Sequence, residues 1–304
     1  MGTTDSTGAA DSTGTAGTTG TAGTLAWVNG RLRDPGEPVL TALDHGVTVG
    51  DGVFETCGVV QGQAFALTRH LRRLRHSAAG IGLPEPDEDV LRAAVAEVLA
   101  AGTGVGRLRI TVTAGLGPLG SGRIPGEPTV LVIAGPASPP DAVRVVRVPW
   151  VRNERSVVAG LKTTSYVENV VALAHAHAAG AGEALLANTV GELCEGTGTN
   201  VFVERGGAVL TPPLTSGCLA GITRELVLEW GGEAGLPVRE ARPGELPYAV
   251  LDEVAAGRAH LGLTGSVRTV APVVALDGAE VTPGPLIAEL RALYAEREAQ
   301  DLDP

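Results

Sequence analysis

Lysine is almost absent from this chain: one, Lys162, stands against 22 arginines in 304 residues. Isoleucine, asparagine and aromatic residues are also scarce beside alanine, glycine, proline and arginine. That balance is the mark of a GC-rich coding bias, which explains why lysine is rare but not why one is kept. Basic charge is thin as well. The formal net charge is −11 and no basic stripe or patch is visible, which argues against a nucleic-acid partner. No apolar run reaches the roughly 18 residues of a membrane span. Three cysteines, Cys57, Cys194 and Cys218, are odd in number, far apart and without C-x-x-C spacing. They exclude a disulfide framework and read as reduced, buried thiols of a cytoplasmic protein.

What is present is a long chain with 44% hydrophobic residues, enough for one large domain or two modest ones. Residues 1–24 are Gly, Ala, Ser and Thr apart from Met1, Asp5 and Asp11. Such a segment cannot bury enough apolar area to offset its ordering entropy and is expected to be a disordered tail; it has no export-signal pattern. A smaller N-terminal domain is expected over 25–137, a connection over 138–148 around the Pro-rich "PASPPDA" (136–142), and a larger domain over 149–304. "GVFETCGVVQGQAFAL" reads as two strands joined at Gln61-Gly62, and 68–82 and 86–102 as helices, the second with acids in its first turn. "RLRITVTAG" and "TVLVIAG" are β-branched strands. A strand "VRVVRVPW", a helix after Lys162 and the strands "EALLAN", "NVFVER" and "AVLTPP" follow. A helix over 221–235, strands near 258–275 and a last helix "PLIAELRALYAEREA" complete the chain. The order fits two α/β domains with mixed sheets and no internal repeat.

A lone lysine is ordinarily a solvated surface charge. Two features argue otherwise here. Small residues "RSVVAG" precede Lys162, and a helix with an apolar face of Val167, Val170, Val171 and Ala174 follows, so the lysine sits at a strand-to-helix junction. Where only charge is wanted, this chain uses arginine. A guanidinium neither loses its proton at ordinary pH nor condenses with a carbonyl, whereas a desolvated lysine does both. The position therefore suggests a task that needs a primary amine.

From about Trp27 to Asp277 the sequence resembles the class IV aminotransferase family, the fold-type IV enzymes dependent on pyridoxal phosphate (PLP). The family includes branched-chain aminotransferases, D-amino-acid transaminases and aminodeoxychorismate lyases. The resemblance is carried above all by "NTVGELCEGTGTNVFVERGGAVLTPPLTSGCLAGITREL". It implies two mixed-sheet α/β domains with the cofactor between them, a homodimer, and Lys162 as the Schiff-base lysine. Glu195, 33 residues further on, matches the glutamate beside the pyridine nitrogen, where a carboxylate favours the protonated ring; its bland alternative is an exposed acid in a turn. For the phosphate the resemblance implies Arg73 in "RHLRRLRHSA", the helix start at Ile222 and Thr223 with its free N–H groups, and the turn at Gly265 and Ser266. Arg69, Arg72 and Arg75 read as a solvated helix face. Tyr166 aligns with a tyrosine that contacts the cofactor oxygen in branched-chain enzymes, one residue closer to the lysine here; packing on a helix face is the alternative.

For the substrate, Arg109 and Arg123 are candidates to hold a carboxylate, with Val267 beside the cofactor turn. Arg109 could instead serve an ion pair, and Arg123 a mobile loop. "LDHGVTVGDGVFET" is closer to lyase and D-amino-acid transaminase sequences than to branched-chain enzymes, and "LKTTSYVENVVALA" resembles sequences labelled aminodeoxychorismate lyase or simply class IV aminotransferase. The expected reaction is 4-amino-4-deoxychorismate lysis to pyruvate and 4-aminobenzoate. The alternative is amino transfer between a branched-chain or D-amino acid, or a related amine, and a 2-oxo acid. A catalytically silent PLP-binding protein is a further rival, disfavoured by the intact set of lysine, glutamate and phosphate donors.

"GLGPLG" (115–120) spells the dinucleotide fingerprint, but Pro118 and two more prolines occupy the helix it should open, and no acid follows at the required distance. The segment reads as a flexible loop over the cofactor cleft. His175 and His177 lie two apart on a helix and face different directions, so no metal site is expected.

Overall fold

The computed structural model describes residues 23–304, so all but the last two residues of the expected tail lie outside the described residues. The first part of the chain runs β1 (Leu25–Val28), β2 (Arg31–Arg33), α1 (His45–Thr48), β3 (Gly52–Val60) and β4 (Gln63–Ala64). It continues with α2 (Leu67–Gly80), α3 (Glu88–Ala100), β5 (Arg107–Thr113) and β6 (Thr129–Gly135). These strands form a six-stranded sheet in the order β2-β1-β6-β5-β3-β4. The second part comprises β7 (Val143–Arg152), α4 (Val167–Ala178), β8 (Glu183–Asn188), β9 (Leu193–Gly196), β10 (Asn200–Arg205) and β11 (Ala208–Thr211). Then come α5 (Ile222–Glu233), β12 (Val238–Glu240), α6 (Val250–Ala255), β13 (His260–Gly265), β14 (Thr269–Leu276), β15 (Ala279–Glu280) and α7 (Pro285–Gln300). They build a nine-stranded sheet in the order β12-β11-β10-β13-β14-β7-β8-β9, with β15 on β14.

Only the second sheet is mixed; the first, also expected to be, is antiparallel throughout. One helix returns the chain to its starting edge, so β7-α4-β8 and β11-α5-β12 give parallel neighbours. β4, α2 and α3 separate β3 from β5, which pair antiparallel. Between β3 and β4 the turn at Gln61-Gly62 has φ of 50° and 80°, the left-handed pair that a two-residue hairpin requires.

The expected connection over 138–148 is shorter than anticipated, because Val143 already opens β7, in which Val143, Val145, Val146 and Val148 are buried. A second difference concerns α4. Its buried residues are Asn169, Ala172 and Ala176, while Val167, Val170 and Val171 are 69%, 61% and 48% exposed. Alanines allow α4 to lie close on Val146, Val148, Ala184 and Leu186, and the bulkier valines are left outward.

The core under the first sheet sets Leu71, Leu74, Leu91 and Val98 against Leu108, Ile110 and Val112, alternate residues of β5. Arg109 and Thr111, the intervening residues, turn to the opposite face. A separate cluster joins Phe65 and Ala66 to Trp230 on α5 and Tyr294 on α7, tying the start of α2 to the second part of the chain.

The N-terminus of α2 has no cap of its own, since Ala66 is left-handed and lacks a capping side chain. Asp303 supplies it from the far end of the chain, accepting from the Thr68 N–H at 2.8 Å and the Thr68 hydroxyl at 2.6 Å. Replacing Asp303 with Ala is expected to cost about 1 kcal/mol of stability, the usual loss for a missing cap. Asn should retain most of it. Denaturant midpoints of the two variants check this; equal midpoints for Ala and wild type would refute the capping role.

Candidate active site

A cavity of about 690 Å³ opens where Phe54, Thr56 and Arg109 of the first sheet face Lys162, Glu195 and Ser266. Lys162 is held there by backbone bonds. Its carbonyl accepts from Phe54 N–H at 3.0 Å, and its own N–H donates to Ser77 Oγ of α2 at 3.1 Å. Thr164 N–H donates to Gly52 O at 2.8 Å, so the segment runs along β3 like a short extra strand. The Nζ lies 4.4 Å from the Phe54 ring centroid and 5.6 Å from that of Tyr166. Burial, reinforced by the Arg73 and Arg109 cations and opposed by Glu55 and Glu195, lowers its pKa to about 8.

Glu195 projects from β9 into the same cavity. One carboxylate oxygen meets Arg152 Nε at 3.1 Å, and the other accepts from Leu219 N–H at 2.9 Å. Burial pushes its pKa up against the pull of Arg152. Arg152 also reaches Asn169 Oδ1. Nothing local in the sequence marks Arg152 among so many arginines, and it escaped the sequence reading. Glu183 was missed as well. It is buried, and its carboxylate accepts from Thr197 N–H at 2.9 Å and Thr199 Oγ1 at 3.0 Å, fixing the turn after Glu195.

The expected phosphate donors converge on one end of the cavity, though differently from one another. Gly221 caps α5 without a side chain, and the first intrahelical bond comes only at Glu225 N–H. The N–H groups of Ile222 and Thr223 are therefore left to bind an outside acceptor. Gly265, Ser266 and Val267 line the wall beside them. Arg73 also lines the cavity but is not a free cation. Nε and Nη2 each donate to Glu55 at 2.7 Å, and Nη1 donates to Ala220 O at 2.7 Å. Two of its five N–H donors remain.

Tyr166 packs edge-on against Phe54 at 5.2 Å, and its hydroxyl donates to Thr197 O at 3.2 Å. Burial pushes the phenol up to about 12, so it stays neutral. The two substrate candidates part company. Arg109 stacks over Phe54 at 3.6 Å, donates from Nε to Thr111 Oγ1, and has no carboxylate partner among the described residues. Arg123 is not in the cavity wall: a bidentate pair with Asp51 at 2.6 and 2.5 Å, and a bond to Gly82 O, hold it elsewhere. Its loop, which contains "GLGPLG", forms no helix and does not line the cavity. Pro118 O instead lies 3.0 Å from His45 Nε2. The three cysteines are buried and unpaired. Among the described residues there is no group of His, Cys, Asp or Glu that could hold a metal, and no helix long and apolar enough to cross a membrane.

The family model for amino-transferase class IV matches residues 52–276. A D-alanine aminotransferase of Bacillus licheniformis is 30% identical over 275 residues, 85% of this chain and 91% of that protein. A bifunctional aminodeoxychorismate lyase / D-amino acid transaminase of Mycobacterium tuberculosis is 32% identical over 232 residues, 66% of this chain and 76% of its own. Among solved structures, a fold IV-transaminase from Curtobacterium pusillum superposes with a TM-score of 0.76 at 34% identity. That match covers 90% of this chain and 99% of the other.

Because Lys162 carries the only side-chain amine, its titration is directly readable. In cofactor-free protein, acylation of the Lys162 peptide is expected to be half-maximal near pH 8. A midpoint at the ordinary lysine value of 10.5 would show an amine that is not desolvated.

Proposed function

From the premise that the chain belongs to the class IV aminotransferase family and is a PLP-dependent enzyme, we propose that it catalyses 4-amino-4-deoxychorismate lysis. The observation that carries a carboxylate-bearing amine as substrate is Arg109, an unpaired guanidinium facing the same cavity as Lys162 Nζ. The choice of the lyase rests on the "GDGVFET" and "LKTTSY" segments and on the bifunctional relative. Amino transfer is the second reading, favoured by the D-alanine aminotransferase and fold IV-transaminase similarities.

The residues present fit PLP. A desolvated amine, a buried carboxylate and a helix start with free N–H groups line one cavity, and they match an aldehyde, a pyridine nitrogen and a phosphate. When bound, PLP supplies an electron sink for negative charge developing beside the substrate nitrogen. In this reading Lys162 Nζ would hold the aldehyde of bound PLP. The Lys162 amine, with a pKa near 8, would also move a proton to or from the substrate carbon. Glu195, oriented by Arg152, would hold the ring nitrogen. Ile222 and Thr223 N–H, the Gly265–Ser266 turn and the remaining Arg73 donors would hold the phosphate. Tyr166 closes one wall, with its hydroxyl already committed to Thr197 O. Arg109 clamps the substrate carboxylate and Val267 flanks it; Arg123 has no part.

Purified protein should be yellow, and borohydride should fix the cofactor mass on the Lys162 peptide. Replacing Lys162 with Arg should reduce turnover by more than about 10³-fold, since charge alone cannot replace an amine. Colourless protein indifferent to added PLP overturns the cofactor assignment. Offered aminodeoxychorismate, the enzyme should release 4-aminobenzoate. Robust transfer from L- or D-amino acids to 2-oxoglutarate without that release decides for the aminotransferase.

A homodimer is part of the proposal. Its support is the exposed apolar face of α4, Val167, Val170 and Val171, with the exposed Trp150 packed on His175 of the same helix. Replacing Val170 with Asp should halve the mass seen by light scattering. A wild-type protein that is already monomeric rules the dimer out.

A further inference from the structure

Glu55 is fully buried in β3 and does not line the cavity. One of its oxygens accepts from Arg73 Nε; the other accepts from Arg73 Nη2 and lies 2.6 Å from His70 Nδ1. Each partner leads on to a different half of the phosphate end of the cavity. Arg73 holds Ala220 O, next to the Gly221 cap of α5. His70, itself buried, places Nε2 3.3 Å from Ser266 Oγ. The chain Glu55–His70–Ser266 therefore runs from the core of the first sheet to a hydroxyl on the cavity wall.

Proton positions along this chain are constrained. A carboxylate can only accept, so His70 Nδ1 carries a proton and donates to Glu55. His70 Nε2 then has two states. Unprotonated, it accepts the Ser266 O–H, which points away from the cavity. Protonated, it donates to Ser266 Oγ and frees the hydroxyl proton to point into the cavity.

We propose that His70 couples anion binding to proton uptake. A phosphate dianion at the Ser266 turn draws one proton from solvent onto Nε2, and the Ser266 hydroxyl turns from His70 to the phosphate. The groups that face His70 agree with this assignment. Burial lowers its pKa, Arg73 on its own helix and Lys162 across the cavity lower it further, and Glu55 alone opposes them. Cys57 on β3 has its pKa raised by burial, which keeps the thiol neutral, and Asp303 of the packed C-terminal segment is engaged by Thr68. The site without an anion thus favours neutral His70 at pH 7, and an added dianion reverses the balance of charge. The anion-free pKa lies below the ordinary 6.5 and a bound dianion raises it, so anion affinity falls as pH rises through the interval between the two.

The inference rests on the phosphate reading of this end of the cavity, and sulfate separates the two. Sulfate is a dianion that does not titrate near neutrality. Its binding to the full chain freed of cofactor is followed by calorimetry at pH 7 in buffers of different ionisation enthalpy, with competition against PLP as the control. Uptake of about one proton per sulfate is expected, together with a loss of up to about tenfold in affinity per pH unit. In His70→Gln the uptake should vanish. Sulfate that competes with PLP but binds without proton uptake, or uptake that persists in His70→Gln, overturns the coupling and leaves the phosphate reading intact. Sulfate that neither binds nor competes sinks both. A measurement independent of the variant is the ¹⁵N spectrum of histidine-labelled holoenzyme. Both His70 nitrogens protonated at pH 7 supports the coupling; a bare Nε2 refutes it.

Discussion

The fold around the cavity depends on a buried carboxylate that is fully answered. Glu55 sits inside the first sheet, where an uncompensated charge would cost several kcal/mol. Burial opposes its ionisation, but Arg73 and His70 outweigh that penalty and hold its pKa well below the usual range. The geometry that satisfies Glu55 fixes α2 against β3. Arg73 then fastens the residue before the α5 cap, and His70 reaches the turn after β13. Elements distant in sequence thereby acquire one common reference point.

Lys162 sits on that frame rather than on its own helix. Its backbone is stitched to Phe54 and Ser77, residues of β3 and α2, so the amine is delivered into the cavity by the first part of the chain. Phe54, Tyr166 and Arg109 form an apolar and cationic wall around it. The result is an amine whose pKa is lowered to about 8, with a carboxylate, Glu195, in the same enclosure. Desolvation gives the lysine chemistry that no arginine in the chain could supply.

Where the sequence reading went astray, the reasons are specific. The apolar spacing of Val167, Val170 and Val171 identified α4 but not which face is buried, because periodicity has no knowledge of how close the neighbouring sheet lies. Nothing local in the sequence pairs Arg73, expected at the phosphate, with Glu55, 18 residues away on another element. Arg123 looked like a substrate clamp until folding brought Asp51 against it. Arg152 and Glu183 carried no local signal, since each matters only through what it touches.

The sequence by itself determined the elements and the chemistry on offer. Strand alternation, helix caps and turn residues are short-range effects, and a single retained lysine among arginines is a statement about composition. Tertiary structure alone decided which charges are paired and which remain free. Arg73 is mostly occupied, Arg123 is fully diverted, and Arg109 faces the cavity without an acid. The physical reason is that pairing and desolvation act through space over a few ångströms, between residues that the chain order keeps far apart.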